Sequence, residues 1–158
     1  ANEFTKTLQD EGVFQSVALN SFRPEAVLRA VEIAANAGAD LIAIDHLHRI
    51  LFDEQRNFTE NMTRLMITLT ELANSKRCHI PVLSQLNREA TREGRKPRLI
   101  DLKGSGGIEE NASLLVLNRN LETKEATLNI SKARSGQAGL TIPLIFNPDR
   151  LVFSEAYN

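Results

Sequence analysis

An alternation of strand-like and helix-like segments, followed by a run of strands alone, constrains this chain more than any single motif. Residues 14–19 (FQSVAL) alternate apolar and polar side chains, the period of a strand. Pro24 suits a first helical position, where its missing N–H costs nothing, and Ala26, Val27, Ala30, Val31 and Ala34 follow at helical spacing. Gly38 fits the stop. Residues 41–44 (LIAI) are an unbroken apolar run ending in Asp45, the pattern of a strand buried on both faces in a parallel sheet. Met62, Leu65, Met66, Leu69, Leu72 and Ala73 mark one stripe of a second helix over residues 58–76. Residues 79–84 (HIPVLS) read as another buried strand, with Pro81 near its start, where a proline is tolerated. Residues 113–117, 127–131, 140–146 and 151–153 then read as strands joined by short turns, and residues 1–12 as the end of a helix closed by Gly12. The order predicts an α/β fold: a mainly parallel sheet with right-handed crossovers, flanked by helices, with an antiparallel C-terminal extension of the same sheet. In such sheets working residues gather at the carboxyl ends of the parallel strands, here Asn20, Asp45 and Ser84-Gln85.

Composition narrows the class without naming a function. The 158 residues suit one domain, and 42% apolar with 25% charged residues is ordinary for a globular chain. No apolar run approaches the ~20 residues of a membrane helix, so no membrane partner is expected. A single cysteine, Cys78, excludes an intrachain disulfide and a cysteine metal cluster and is consistent with a reducing cytoplasm. The net charge of −1 argues neither for nor against nucleic acid; the distribution of charge is more informative.

Four features carry chemistry. Asp45, at the tip of a buried strand, stands where nucleotide hydrolases hold the water shell of Mg²⁺. Gln85 ends the next strand, where its amide could sense a γ-phosphate or an attacking water. Between Asn87 and Lys103 lie six basic residues (Arg88, Arg92, Arg95, Lys96, Arg98, Lys103) against three acidic ones, and the stretch closes on Gly104-Ser105-Gly106-Gly107. A basic, glycine-bearing loop suits the phosphates of single-stranded DNA; with no aromatic residue in it, base stacking is not expected. Finally, Ser131-Lys132-Ala133-Arg134-Ser135-Gly136 ends a strand in two cations one residue apart, which in a strand would share a face and could grip a phosphate. Each has a plain structural counterpart: a turn-capping acid, a loop amide bonded to backbone, a solvated loop, a solvated strand end. Taken singly, the plain readings have the greater weight. His46, His48 and His79 make no recognisable zinc spacing, no G-x-S-x-G is present, and no G-x-G-x-x-G opens a helix after a strand.

The order of these features says more. LIAIDHL, SQLNRE, a basic loop running into RLIDLKGSGGIEENASLLVL, then NISKARSGQAG and IPLIFNPDRLVF, resembles the C-terminal RecA-like motor domain of DnaB-type replicative helicases, and is similar to the phage and mitochondrial primase–helicase branch. The resemblance spans roughly residues 14–153 and is most specific over residues 84–112. It implies one partial RecA-like motor domain over residues 1–158, using ATP and Mg²⁺, working as a homo-hexameric ring that translocates on single-stranded DNA and unwinds duplex. It implies that Asp45 is the Walker B acid holding Mg²⁺ through water and that Gln85 reads the γ-phosphate. Arg134 becomes the arginine finger and Lys132 its partner, both acting on the neighbouring subunit's nucleotide. Asn87, Arg88, Lys103, Gly104 and Gly106 would meet DNA. A primase and a helicase loader are implied partners, in a cytoplasmic, nucleoid-associated or phage-encoded setting rather than a mitochondrial one. Two departures stand out. Gly104 replaces a usually acidic pore residue, and His46 replaces a usual tyrosine.

One expected motif is absent. No G-x-x-x-x-G-K-S/T occurs, and no lysine follows a glycine. In the family that phosphate loop, and the glutamate that activates water, precede the segment that begins here. The chain is therefore expected to be a piece that lacks its parent's upstream phosphate loop and to hydrolyse no ATP alone. Two other readings stay open: a RecA- or KaiC-like ATPase that does not unwind DNA, and a non-catalytic single-strand-binding module derived from a helicase.

Overall fold

The computed structural model describes residues 14–52, 57–85, 105–120 and 122–156. The helix expected over residues 1–12 lies outside them, as does most of the basic loop. The first described helix, α1 (Pro24–Asn36), starts on its proline and buries Val27 and Val31, one turn apart. It closes as the sequence predicts. Gly38 adopts a φ of 91°, its N–H donates to Ala35 O, and the N–H of Ala39 donates back to Ala34 O. This is the doubly bonded C-terminal turn that needs a left-handed residue. Helix α2 (Phe58–Lys76) is capped by Asn57, whose Oδ1 accepts from the N–H of Thr59 at 3.0 Å, and it buries Met62, Leu65, Met66 and Leu69. Its C-terminal turn resembles that of α1, with Cys78 N–H donating to Ala73 O, but the left-handed position is Arg77, at φ 55°.

Between and after these helices run two short segments in parallel. Leu41 bridges His79 and Ile44 bridges Val82. The ladder consists of Ile42 N–H to His79 O, Ile44 N–H to Pro81 O, His79 N–H to Asp40 O and Leu83 N–H to Ile44 O. At position 81 the rung that would return to Ile42 has no donor, because the residue is proline. Pro81 therefore sits within the ladder, not ahead of it. Residues 41–44 were expected to be buried on both faces, and they are not. Ile42, Ile44, Ile80 and Val82 pack on the helical core, while Leu41 and Leu83 stay 64% and 49% exposed. Alternation along a strand sends every second side chain to the far face, and nothing among the described residues covers that face. Residues 14–19 likewise join no ladder among the described residues. Val17 is 71% exposed and only Leu19 packs on the core. Alternation marks a segment able to pair, but a strand also needs a neighbour.

The C-terminal half is a meander of four antiparallel strands in sequence order: β1 (Leu114–Arg119), β2 (Glu125–Lys132), β3 (Leu140–Asn147) and β4 (Val152–Glu155). The expected strand at residues 151–153 begins one residue late, because Leu151 takes a φ of 54° inside the turn. A bulge opposite Leu114 and Leu115 leaves Ser131 as the extra residue of β2, so Lys132 pairs with Leu114 and Ile130 with Leu115. No ladder joins the meander to the parallel pair among the described residues.

A short helix that the periodicity did not reveal, α3 (Ser105–Asn111), precedes β1. Its Ile108 and the first residue of β1, Leu114, join Val27, Val31, Leu47, Ile50 and the α2 stripe in one buried cluster. Gly107 explains how closely α3 lies on α2. A Cβ there would sit 2.5 Å from Thr63 Cα, so only glycine fits without displacement.

Candidate functional site

Asp45 lies where the parallel ladder ends. Ile44 O accepts from Leu83 N–H at 3.0 Å and Leu47 N–H donates to Leu83 O at 2.9 Å, which brackets Asp45 and sets it beside the end of the neighbouring strand. Paired strands lie ~4.8 Å apart, so the two strand ends form one edge of the sheet. The Asp45 side chain is 78% exposed, and His46 Nδ1 lies 3.6 Å from its Oδ1. The Asp45–His46 peptide bond is cis. After His46 a single helical turn, Leu47–Arg49, buries Leu47 and so anchors the loop that carries the acid. An exposed carboxylate on a rigid strand end suits a hydrated divalent cation, which such a group binds through its water shell.

Gln85 follows the other strand directly and is also exposed. Beside it the Ser84 hydroxyl is buried with no hydrogen-bond partner among the described residues. An unpaired buried hydroxyl carries a cost of about 1–3 kcal/mol. Ser84 was expected, with Gln85, at a strand end where working residues gather.

Lys132 and Arg134 converge, though not for the reason the sequence suggests. Strand β2 stops at Lys132, so Arg134 lies beyond it and strand alternation does not place the pair. Their meeting point is the C-terminus of α3. Lys132 Nζ donates to Glu109 O, Arg134 Nη1 donates to Asn111 O at 2.9 Å, and the Arg134 N–H donates to Ser113 Oγ at 3.2 Å. The final carbonyls of a helix have no partner within it and carry a partial negative charge, so two cations there are favourable. Asn111 O also accepts from the Thr70 hydroxyl at 3.1 Å, while the Asn111 side-chain amide donates to Gly107 O. Thr70 and Ser113 are contacts that sequence reasoning missed. Thr70 belongs to no motif, Ser113 was read only as the start of a strand, and the role of each depends on chain crossings.

Of the residues expected to meet DNA, Asn87, Arg88, Lys103 and Gly104 lie outside the described residues. Gly106 falls in the first turn of α3. The glycine stretch thus serves packing at Gly107, where Thr63 occupies the space of a side chain. Among the described residues no cluster of three or more histidines, cysteines or carboxylates could hold a metal ion by itself. Nor does any described helix have the length and apolarity to cross a membrane.

Comparison with known proteins supplies the deciding observation: the model of the family described as the DnaB-like helicase C terminal domain matches residues 8–155. The chain belongs to that family. This DnaB-like domain is 33% identical over 123 residues to the replicative DNA helicase DnaB of Treponema pallidum, covering 75% of this chain and 27% of that protein. It is 33% identical over 117 residues to a probable plasmid replicative DNA helicase of Chlamydia muridarum, covering 73% of this chain and 26% of that one. It therefore spans about a quarter of the length of these relatives. Among solved structures, one ATPase domain superposes with a TM-score of 0.73 at 20% identity, over 85% of this chain and 52% of that chain. A DnaB-like replicative helicase, solved in a study of its interactions with primase, superposes with a TM-score of 0.68 at 21% identity, over 80% and 33%. These superpositions show an α/β fold of the RecA-like ATPase type.

Proposed function

We propose that this DnaB-like domain is part of the motor of an ATP-dependent replicative DNA helicase, acting as a ring that translocates on single-stranded DNA and unwinds duplex. The family match over residues 8–155 carries this reading. The geometry fits it at two places. The exposed Asp45 carboxylate ends a parallel strand, and Lys132 and Arg134 are held together at the end of α3. In this reading Asp45 holds the water shell of Mg²⁺ and Gln85, beside it, reads the γ-phosphate. Mg²⁺ supplies neutralisation of phosphate charge when bound. Lys132 and Arg134 act on the nucleotide of a neighbouring subunit, where the planar guanidinium steadies charge on the transferring phosphoryl group. A finger that acts in trans requires a head-to-tail interface, and such interfaces close into rings when the rotation permits. The phosphate loop comes from a part of the parent outside this chain, so the chain alone turns over no ATP. Asn87, Arg88, Lys103, Gly104 and Gly106 face the DNA backbone, and a primase and a loader engage other surfaces of the parent.

The DNA assignment is tested by a salt series of single-strand binding in the full-length parent. Lys103→Ala is expected to weaken binding and to reduce the salt dependence by about one counterion. Unchanged affinity and slope would remove Lys103 from the DNA contact.

A further inference from the structure

We propose that Thr70 and Ser113 are positioning residues for Arg134, Thr70 through the C-terminal end of α3 and Ser113 directly. The proposal rests on the reading of Arg134 as the trans-acting cation and deepens it.

Arg134 is exposed and lies beyond the end of β2, so no strand ladder orients it. A long arginine side chain in that setting samples many rotamers, and each must be lost before it meets a phosphate. The structure restrains it at two points. Its backbone N–H is fixed by Ser113 Oγ at 3.2 Å, and its guanidinium Nη1 by Asn111 O at 2.9 Å. That carbonyl engages only one of the guanidinium's five N–H donors, which leaves the others for a phosphate.

Asn111 O is in turn placed by α2. The single Thr70 hydroxyl proton is shared between Met66 O of its own helix, at 2.8 Å, and Asn111 O, at 3.1 Å. A carbonyl oxygen has two lone pairs, so Asn111 O accommodates Thr70 and Arg134 together. Helix α2 is a firm support, with four buried side chains in the central core. Helix α3 is pressed against it at Gly107, where no Cβ fits beside Thr63. The resulting chain of contacts runs α2, Thr70, Asn111 O, guanidinium. Lys132, bonded to Glu109 O on the same helix, is registered against the same support. A cation held in this way meets a neighbouring nucleotide with its orientation already set, which raises the rate of the chemical step more than the affinity for substrate.

The experiment measures ATP turnover by the full-length protein with single-stranded DNA, for Thr70→Val, Thr70→Ser, Ser113→Ala and Arg134→Ala. Thr70→Val keeps the shape and removes the hydroxyl; Ser113→Ala removes the acceptor at an exposed site. Both are expected to lower kcat about two- to tenfold, the rate equivalent of one lost hydrogen bond. KM for ATP should stay within about twofold. Thr70→Ser should restore kcat. If Arg134→Ala is inactive while Thr70→Val and Ser113→Ala turn over like the parent, the positioning role is overturned and the reading of Arg134 stands. A fall in kcat that Thr70→Ser does not restore, or that comes with an equal rise in KM, overturns it too. Parental turnover by Arg134→Ala overturns the reading itself, and the positioning role with it.

Discussion

Gly38 and Arg77 occupy the same place in the closing turns of two helices, and both are left-handed. Glycine takes that conformation freely, while a side chain is strained by the contact between its Cβ and its own carbonyl. Arg77→Gly is therefore expected to stabilise the protein by about 0.5–1 kcal/mol, read as a higher urea midpoint with an unchanged slope. The opposite shift would mean that the Arg77 side chain makes a contact worth more than the strain. At this same scale the sequence exposed part of the candidate site's framework. Asp45 was legible because an acid after four apolar residues marks a strand end wherever that strand packs. Thr70 was not legible, because a threonine inside an amphipathic stripe looks like any other half-buried helix residue.

Among the elements, α3 shows what periodicity misses. Seven residues give fewer than two full turns of pattern, and two of the first three are glycine, which reads as loop. Its helical state follows from packing on α2, with Ile108 buried and Gly107 against Thr63. Gly107→Ala raises intrinsic helix propensity by about 1 kcal/mol, yet it places a methyl group 2.5 Å from Thr63 Cα. A backbone atom cannot rotate away, so a net loss of about 1–3 kcal/mol is expected in chemical denaturation. Thr63→Ala should not recover it, since the Cα remains. A neutral Gly107→Ala would show that α3 lies farther from α2 than described. The parallel pair makes the complementary point. Its apolar runs were plain in the sequence, but Pro81 removes one rung and, among the described residues, only one face is covered.

For the whole molecule, the central prediction concerns Arg134, which the proposed function assigns to the subunit next door. Arg134→Ala is expected to abolish ATP turnover by the full-length ring while leaving nucleotide binding largely intact, because the residue serves charge that develops in the transition state. Rings mixed from Arg134→Ala subunits and subunits with a disabled phosphate loop should regain some turnover, since some interfaces then pair an intact finger with an intact loop. Mixed rings that never recover activity would argue against action in trans.

The sequence by itself determined whatever depends on neighbours a few residues apart. Helices α1 and α2, their stops and the four strands of the meander were all readable from spacing and turn residues, because amphipathic period and capping are local. The order of motifs likewise placed the chain among the DnaB-like domains that the family match later identified. The tertiary structure decided what depends on residues far apart. Thr70 meets Asn111 across 41 positions and Arg134 meets it across 23. Hydrogen bonds of that span, the close approach at Gly107, and the covering of one face of the parallel pair follow from how elements pack. No local spacing encodes which distant carbonyl a cation will find.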